Sequence, residues 1–303
     1  MELIAGENDK GRRLDRVLRK ALPDKPLPLI HRLLRQGHVL VNGKPAKAQT
    51  KIEAGSKIKI EKILYGDPDT KGQVRAGAAE QGHRATVPSN MILYEGQGLL
   101  ILNKPAGLIV HGYDSLDEMV RTYLLGKIEP SLSFKSGPLH RLDKETSGVI
   151  VFSTGIEGAQ VFTSLMRERK VKKTYLAIVE GCVKNEEIWE DPLFRDKKKK
   201  KTVVSSDGKP AITKISPLDY NAKENGGISL VKAEILTGIS HQIRAQAAFH
   251  GFPLLGDVKY GSKCGAKGDF YLHAWKLEFL DHKITAPPPL HPSRLDLLTK
   301  NLK

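Results

Sequence analysis

The chain has 303 residues, of which 40% are hydrophobic, and a formal net charge of +15 at pH 7. That length allows two domains, and the charge predicts a polyanionic partner, because each phosphate that the protein neutralises releases counterions. The two cysteines, Cys182 and Cys264, lie far apart and argue against a disulfide framework or a zinc site. No run of about 18 apolar residues occurs. We therefore expect a cytoplasmic protein without a metal, a cofactor or a membrane partner.

Residues 1–64 predict a small domain with two basic helices and a hairpin. Leu14, Val17, Leu18 and Leu22 keep helical spacing, and a second helix over 28–36 turns Ile30, Leu33 and Leu34 inward. The pair Asn42–Gly43 predicts a tight turn after a strand at 38–41, and residues 57–62 alternate as a strand does. Basic side chains occupy the other helix faces: Arg12, Arg13, Arg16, Arg19, Lys20, Arg32 and Arg35.

Residues 65–89 are rich in Gly, Asp, Gln and Ala and predict a flexible linker to a second domain at 90–288, which a tail at 289–303 follows. Strands and helices alternate there without a regular βαβ pattern. We therefore predict an α+β fold with a mixed, mainly antiparallel sheet and flanking helices. The predicted strands are 92–95, 99–104, 149–152, 174–180, 211–215, 229–236 and 271–279, and the predicted helices are 116–125, 158–169 and 241–249.

The segment GPLHRLDKETSGVIVFS, residues 137–153, has the composition of a functional loop that leads into a buried strand. Arg141 stands two residues before Asp143 and can fold back onto it, and Gly148 allows a sharp backbone turn. Spacing alone therefore indicates a charged turn with a local ion pair, and a functional loop is the alternative.

Residues 197–201 are five consecutive lysines. Five like charges repel one another, so we predict an unpacked, mobile loop in which Lys198 and Lys199 contact phosphate groups.

The string HRLDKETSG resembles the central motif of the RluA-type RNA pseudouridine synthases. Three further segments resemble that family in the same order: residues 92–112, 171–181 and 236–261. The resemblance implies the family's fold and the isomerisation of uridine to pseudouridine, a reaction that needs no metal or electron sink. Asp143 would then be the catalytic residue, acting as a nucleophile or in a glycal route.

The resemblance also implies partners for Asp143. Arg244 would be its counter-ion, Tyr175 would stack on the target uracil, and Arg141 would fill the gap that the flipped nucleotide leaves. For Lys104, a turn-forming role and a catalytic role are equally open. His140 is more typical of a structural hydrogen bonder than of a catalyst.

Residues 12–60 resemble the small RNA-binding module of ribosomal protein S4, with two basic helices followed by a VNG turn. We expect RNA to contact Arg12, Arg13, Arg16, Arg32, Arg35 and Lys44. DNA binding is disfavoured because the chain has no recognisable zinc finger or recognition helix.

Two positions depart from the family pattern: Ile239 and Ser240 stand where TGRTHQIR would place an arginine and a threonine, so one basic residue is missing. The loss of a positive charge there allows a changed target or rate.

The domain order favours large-subunit ribosomal RNA as the substrate, with transfer RNA as the alternative. A non-catalytic RNA-binding or ribosome-assembly protein is the rival from another class. We expect a monomer.

Overall fold

The computed structural model describes residues 1–61, 85–222, 227–263 and 270–289. Two compact units divide the described residues. The first contains Met1–Thr86, Met119–Gly137 and Thr154–Ile156, and the second contains Val87–Glu118, Pro138–Ser153 and Glu157–Lys303, each as far as it is described. Most of the predicted linker and tail lies outside the described residues, so the predicted domain limits stay predictions.

The N-terminal part of the first unit confirms the two predicted helices and the hairpin. Its elements are β1 (Glu2–Ile4), α1 (Leu14–Ala21), α2 (Leu27–Arg35), β2 (Val39–Val41), β3 (Lys44–Pro45) and β4 (Lys57–Ile60). The strands form an antiparallel sheet in the order β1-β4-β2-β3. Asn42 and Gly43 have φ angles of 50° and 78°, as a tight two-residue hairpin turn requires. The apolar faces of both helices are buried with Ile52 and Ile58.

A buried carboxylate, Asp9, ties residues 131–133 into this unit. Its oxygens accept hydrogen bonds from the backbone N–H groups of Leu132 and Ser133 at 2.9 and 3.0 Å, and from Ser131 Oγ at 2.8 Å. Burial raises the pKa of Asp9, but these bonds and those from Ser133 Oγ and Gly6 N–H outweigh it and leave the pKa below its usual value. Arg12 Nη1 donates to Ser133 Oγ at 2.7 Å.

The remaining elements follow in chain order. They are β5 (Ile92–Gly96), β6 (Leu99–Lys104), α3 (Leu116–Leu124), β7 (Gly137–Pro138), β8 (Ser147–Ser153), α4 (Ile156–Arg167), β9 (Lys172–Glu180), β10 (Glu187–Asp196), β11 (Lys201–Val204), β12 (Lys209–Asn221), β13 (Ile228–Ile235), α5 (Gln242–Phe249), β14 (Leu272–Phe279) and β15 (His282–Thr285). Each predicted strand and helix is present, with ends that shift by one or two residues in most cases. β12 is much longer than predicted, and the sequence patterns do not predict β7, β10, β11 and β15.

In the described part of the chain, these strands form one eleven-stranded sheet. Its order is β11-β10-β12-β13-β9-β14-β8-β6-β5, with β15 beside β14 and β7 beside β8. The pairs among β5, β6 and β8 to β15 are antiparallel except β14 with β8. Helix α4 covers one region of the sheet, where Phe162 packs with Leu99, Val151 and Phe279. The predicted α+β class with a mainly antiparallel sheet is confirmed.

The prediction that all five lysines of 197–201 would be unpacked is wrong for the last of them. Lys201 begins β11, which pairs with β10, and its Nζ lies 4.9 Å from the ring centroid of Tyr260. Asp196 Oδ1 accepts the backbone N–H of Lys199 at 3.0 Å. Strand pairing therefore fixes Lys201 opposite Asp196, and Lys198 and Lys199 are exposed at the hairpin turn between them.

Candidate active site

Three neighbouring elements of the second unit bring Asp143, Tyr175 and Arg244 together. Asp143 lies in the loop before β8, Tyr175 lies on β9, and Arg244 lies in the first turn of α5. β14 pairs with both β8 and β9, so these two strands flank it. The three residues singled out as catalytic therefore share one region of the sheet.

The expected ion pair between Asp143 and Arg244 is present. Arg244 Nη1 lies 2.8 Å from Asp143 Oδ2, and the side chain of Asp143 keeps 28% of its surface exposed. On its other edge the guanidinium forms a bidentate pair with the buried Asp257, through Nε to Oδ2 at 2.6 Å and Nη2 to Oδ1 at 2.9 Å. One fixed arginine therefore presents a single donor to the accessible carboxylate.

Two aromatic rings also hold the guanidinium of Arg244. Its Cζ lies 4.9 Å from the ring centroid of Tyr260 and 4.4 Å from that of Phe270. Burial lowers the pKa of Arg244, but Asp257 and Asp143 raise it further than burial lowers it. The group therefore stays charged inside the protein.

His241 is the second side chain, besides Arg244, that lies near the Asp143 carboxylate. It is the N-cap of α5 and has a left-handed backbone with φ 59°, and its Nε2 lies 3.6 Å from Asp143 Oδ1. Burial lowers the pKa of His241 to about 4, although Asp143 opposes the shift, so the ring is neutral at pH 7. Tyr260 Oη accepts the N–H of Thr202 and lies 2.8 Å from His241 Nδ1. We assign Nδ1 as the acceptor of the Tyr260 hydroxyl, which leaves the hydrogen on Nε2, facing Asp143.

Tyr175 lies in the middle of the sheet, opposite Ala233 on β13 and Ala274 on β14. Only 8% of the residue is exposed. Burial raises the pKa of Tyr175 strongly, and the negative charge of Asp143 raises it further. The side chain is therefore a neutral phenol at physiological pH.

Lys104 binds backbone carbonyl groups of the Asp143 loop and of the segment that follows β6. Its fully buried Nζ donates to the carbonyl oxygens of Pro105 and Leu108 at 2.8 Å and of Lys144 at 2.9 Å. Burial lowers the pKa of Lys104 to about 8 despite the opposing charges of Glu145 and Asp143. Because three carbonyls occupy its three donors, the geometry favours the structural reading of Lys104 over the catalytic one.

The exit of the loop requires glycine at position 148. Gly148 has φ +107°, and an added Cβ would lie 2.2 Å from the carbonyl oxygen of Ala274 on the parallel neighbour β14. His140 is also structural, since its Nε2 accepts the backbone N–H of Val151 at 3.1 Å. Burial lowers the pKa of His140 to about 4, and Lys173 lowers it further. Arg141 is exposed beside them.

The predicted RNA-contacting residues divide into two groups. Arg12 is turned to Ser133, and Arg13 pairs with Asp15 at 2.8 Å. The others are exposed, namely Arg16, Arg32, Arg35, Lys44, Arg141, Lys198 and Lys199.

Sequence reasoning missed three residues of the site: His241, Asp257 and Tyr260. All three stand in residues 236–261, which enter the prediction only as a resemblance to the family, and Asp257 and Tyr260 belong to the segment LLGDVKYG. Asp257 lies 13 residues beyond Arg244, a separation without helical or strand periodicity. A buried aspartate that follows a Leu-Leu-Gly turn was the available signal.

Two absences concern only the residues that the structure describes. Among them, no three His, Cys, Asp or Glu side chains form a group that could hold a metal ion. In the same ranges, no helix has both the length and the apolarity needed to cross a membrane.

Two regions of the chain match known protein families. Residues 98–249 match the family model for RNA pseudouridylate synthase, and residues 12–58 match that for the S4 domain. The chain is 31% identical over 260 residues to the ribosomal large subunit pseudouridine synthase C of Vibrio vulnificus, covering 85% of this chain and 79% of that protein. The protein of the same name from Escherichia coli is 32% identical over 261 residues, covering 84% and 78%.

Solved structures give the same result for the fold. The human RNA pseudouridylate synthase domain containing 1 superposes with a TM-score of 0.56 at 23% identity, covering 68% of this chain and 88% of the human chain. The human domain containing 4 gives 0.52 at 27% identity, covering 65% and 88%. The chain belongs to the RNA pseudouridylate synthase family, whose members isomerise uridine to pseudouridine in RNA.

Proposed function

We propose that this enzyme modifies large-subunit ribosomal RNA and that Asp143 begins the reaction. The names of the bacterial relatives support the choice of RNA. The observation that carries the role of Asp143 is its partly exposed carboxylate, held 2.8 Å from an arginine that Asp257 fixes from behind. A carboxylate that is partly exposed and held in place by a fixed arginine suits attack on the ribose.

The reaction breaks the bond between ribose C1′ and uracil N1, turns the uracil and bonds C1′ to C5. C5 then loses its proton and N1 gains one, so the overall change is an isomerisation. Asp143 either attacks C1′ and leaves when C5 bonds to it, or removes a ribose proton and returns it in a glycal route. Both routes need an ionised carboxylate, and the Arg244 guanidinium, 2.8 Å from Asp143 Oδ2, is its counter-ion.

Tyr175 and Arg141 handle the base in this proposal. A uridine in a helix must be extruded before Asp143 can reach it, and extrusion costs a few kcal/mol. The exposed Arg141 enters the vacated stack, and Tyr175 packs against the extruded uracil. Because its pKa is raised, Tyr175 contributes an apolar wall and a neutral hydroxyl rather than a standing phenolate.

In this proposal the first unit contributes affinity for RNA and no catalytic residue. The matched S4 domain spans residues 12–58, and its Arg16, Arg32 and Arg35 are exposed. We propose that these three residues contact phosphates. We propose that the enzyme acts as a monomer in the cytoplasm, where ribosomal RNA is found, and without a cofactor, because the isomerisation requires neither an electron sink nor a metal.

A chemical map of pseudouridines in total RNA tests this proposal. The map is made from cells with the gene, without it, and with the Asp143→Asn form. We expect one or a few positions in large-subunit ribosomal RNA to disappear in the second and third samples. Loss from transfer RNA instead would replace the target. Identical maps would favour the non-catalytic RNA-binding protein.

A further inference from the structure

A cleft of about 500 Å³ opens in the second unit, on residues that the proposed reaction does not use. Its walls come from the end of α4, the start of β9, the start of β12 and the segment 236–239 that follows β13. That volume lies within the range of small-ligand sites, which run from about 300 to 1,000 Å³.

Four cations line the cleft, and its described lining contains no carboxylate: Arg167, Arg169, Lys173 and Lys209. Lys173 is half-buried, and its Nζ lies 3.4 Å from the point that a Cβ on Gly238 would occupy. Among the described residues, no Asp or Glu forms a salt bridge with Lys173, and burial alone lowers its pKa. An unpaired, partly desolvated ammonium favours an anionic ligand.

Five apolar residues also line the cleft, and we refer to them as its aliphatic wall: Met166, Val171, Pro210, Leu236 and Ile239. Leu236 is 51% exposed. Ile239 is one of the two residues that depart from the family pattern, so this chain has an aliphatic wall where the resemblance predicts a fifth cation. A wall of this kind accepts the flat or aliphatic face of a ligand, while the cations accept its charge.

The cleft lies close to the candidate site. Lys173 precedes Tyr175 by two residues on β9, so their side chains leave the same face of the sheet about 7 Å apart along the strand. Ile239 precedes His241 and Arg244 in the segment leading into α5, and its backbone N–H donates to Gln242 Oε1 at 3.2 Å. A strand of RNA with its uracil against Tyr175 would therefore pass over the cleft.

We propose that the cleft binds a nucleotide of the substrate RNA that adjoins the uridine being isomerised. Its phosphate meets the four cations, and its base or ribose packs on the aliphatic wall. This inference rests on the proposed function for the identity of the strand. It adds a specificity site, since a wall that contacts a neighbouring base discriminates between RNA sequences around the target.

The test measures binding of a fluorescein-labelled decauridine by the full-length protein as a function of salt. Leu236→Glu places a carboxylate at the lip of the cleft, and Lys209→Gln removes an exposed cation. Controls are Val161→Glu, a residue 50% exposed on α4, and Lys283→Gln, an exposed lysine on β15. We expect Leu236→Glu to weaken binding about tenfold, since a like charge then faces the phosphate. Lys209→Gln should reduce the salt slope by about 0.7.

Both controls should bind as the wild type does. Equal affinities and slopes for the cleft variants and their controls would overturn the proposal. Because Lys209 is exposed, its variant tests the cleft even where Leu236→Glu disturbs folding. The assay contains no chemical step, so the cleft is tested independently of pseudouridine formation. A wild-type enzyme that binds decauridine through the cleft but modifies no RNA would contradict the proposed function alone.

Discussion

Arg244 Nη1 meets Asp143 Oδ2 at 2.8 Å while the rest of its guanidinium is engaged by the buried Asp257. The arginine therefore bridges two carboxylates of unequal exposure, 28% for Asp143 and 2% for Asp257. The buried carboxylate fixes the arginine, and the exposed one remains open to a ligand. Asp257 therefore positions Arg244, whereas Asp143 takes part in the reaction. We expect substitutions of the two aspartates to affect activity differently.

Asp143→Asn should abolish pseudouridine formation and leave RNA binding nearly unchanged. The amide keeps the shape of the side chain but can neither attack the ribose nor act as a base, so we expect single-turnover rates at saturating RNA to fall at least about 10³-fold. Asp281→Asn removes the same charge at an exposed turn and should react as the wild type does. Normal turnover by Asp143→Asn would refute the catalytic assignment.

Asp257→Asn should lower kcat about 10- to 100-fold while changing KM little, because it frees Arg244 to move away from its position beside Asp143. Asp191 is a matched control. It is also a buried carboxylate, 8% exposed, and it binds α5 through Gln246 Nε2 at 2.8 Å and His250 Nε2 at 3.0 Å. Both variants should lower the melting temperature, but only Asp257→Asn should lower kcat. Equal kcat values for the two would reduce Asp257 to a purely structural residue.

Local patterns predicted the scaffold of this protein well. The helix that buries Leu14, Val17 and Leu18 and the Asn42–Gly43 hairpin follow from periodicity and turn chemistry, which act over a few residues. Strand β10 was missed because Pro192 stands in its middle and charged residues alternate with its buried ones. Its pairing with β11 and β12 overrides that local signal.

Long-range contacts were not predictable from patterns alone. The Asp9 carboxylate meets Ser133 across 124 positions, and Arg244 meets Asp143 across 101. Spacing alone favoured Arg141 as the partner of Asp143, since it is the nearest arginine in the chain. Only the resemblance to a family indicated Arg244, because no local rule relates residues that the topology of a sheet brings together.

The two histidines buried near the site predict how stability depends on pH. The folded-state pKa values of His140 and His241 are about 4, below the usual value of 6.5, because burial disfavours the charged ring. Their stabilising contribution is therefore complete above pH 6.5 and is lost as the pH falls toward 4. Urea unfolding should show a free energy of unfolding that declines over this window, by on the order of 1 to 3 kcal/mol for each histidine.

His140→Gln should flatten that decline, since glutamine can still accept the Val151 N–H but does not titrate. Val161→Gln, at an exposed residue that does not titrate, should leave the decline unchanged. A slope that is the same in all three proteins would show that His140 does not contribute to it.

Substitutions of different arginines in the first unit should have opposite effects: some should change RNA binding only, and one should change stability only. Arg32 and Arg35 are exposed on α2, so the double change Arg32→Gln, Arg35→Gln should reduce the salt slope of RNA binding by about 1.5 and leave the melting temperature unchanged. Arg12 instead donates to Ser133 beside the buried Asp9, so Arg12→Gln should lower the melting temperature and leave the slope intact.

Point changes are preferable to deleting residues 1–64, because deletion also removes the Asp9 carboxylate that holds residues 131–133. A reduced salt slope in Arg12→Gln together with a wild-type slope in the double variant would move the RNA-contacting face from α2 to the start of α1.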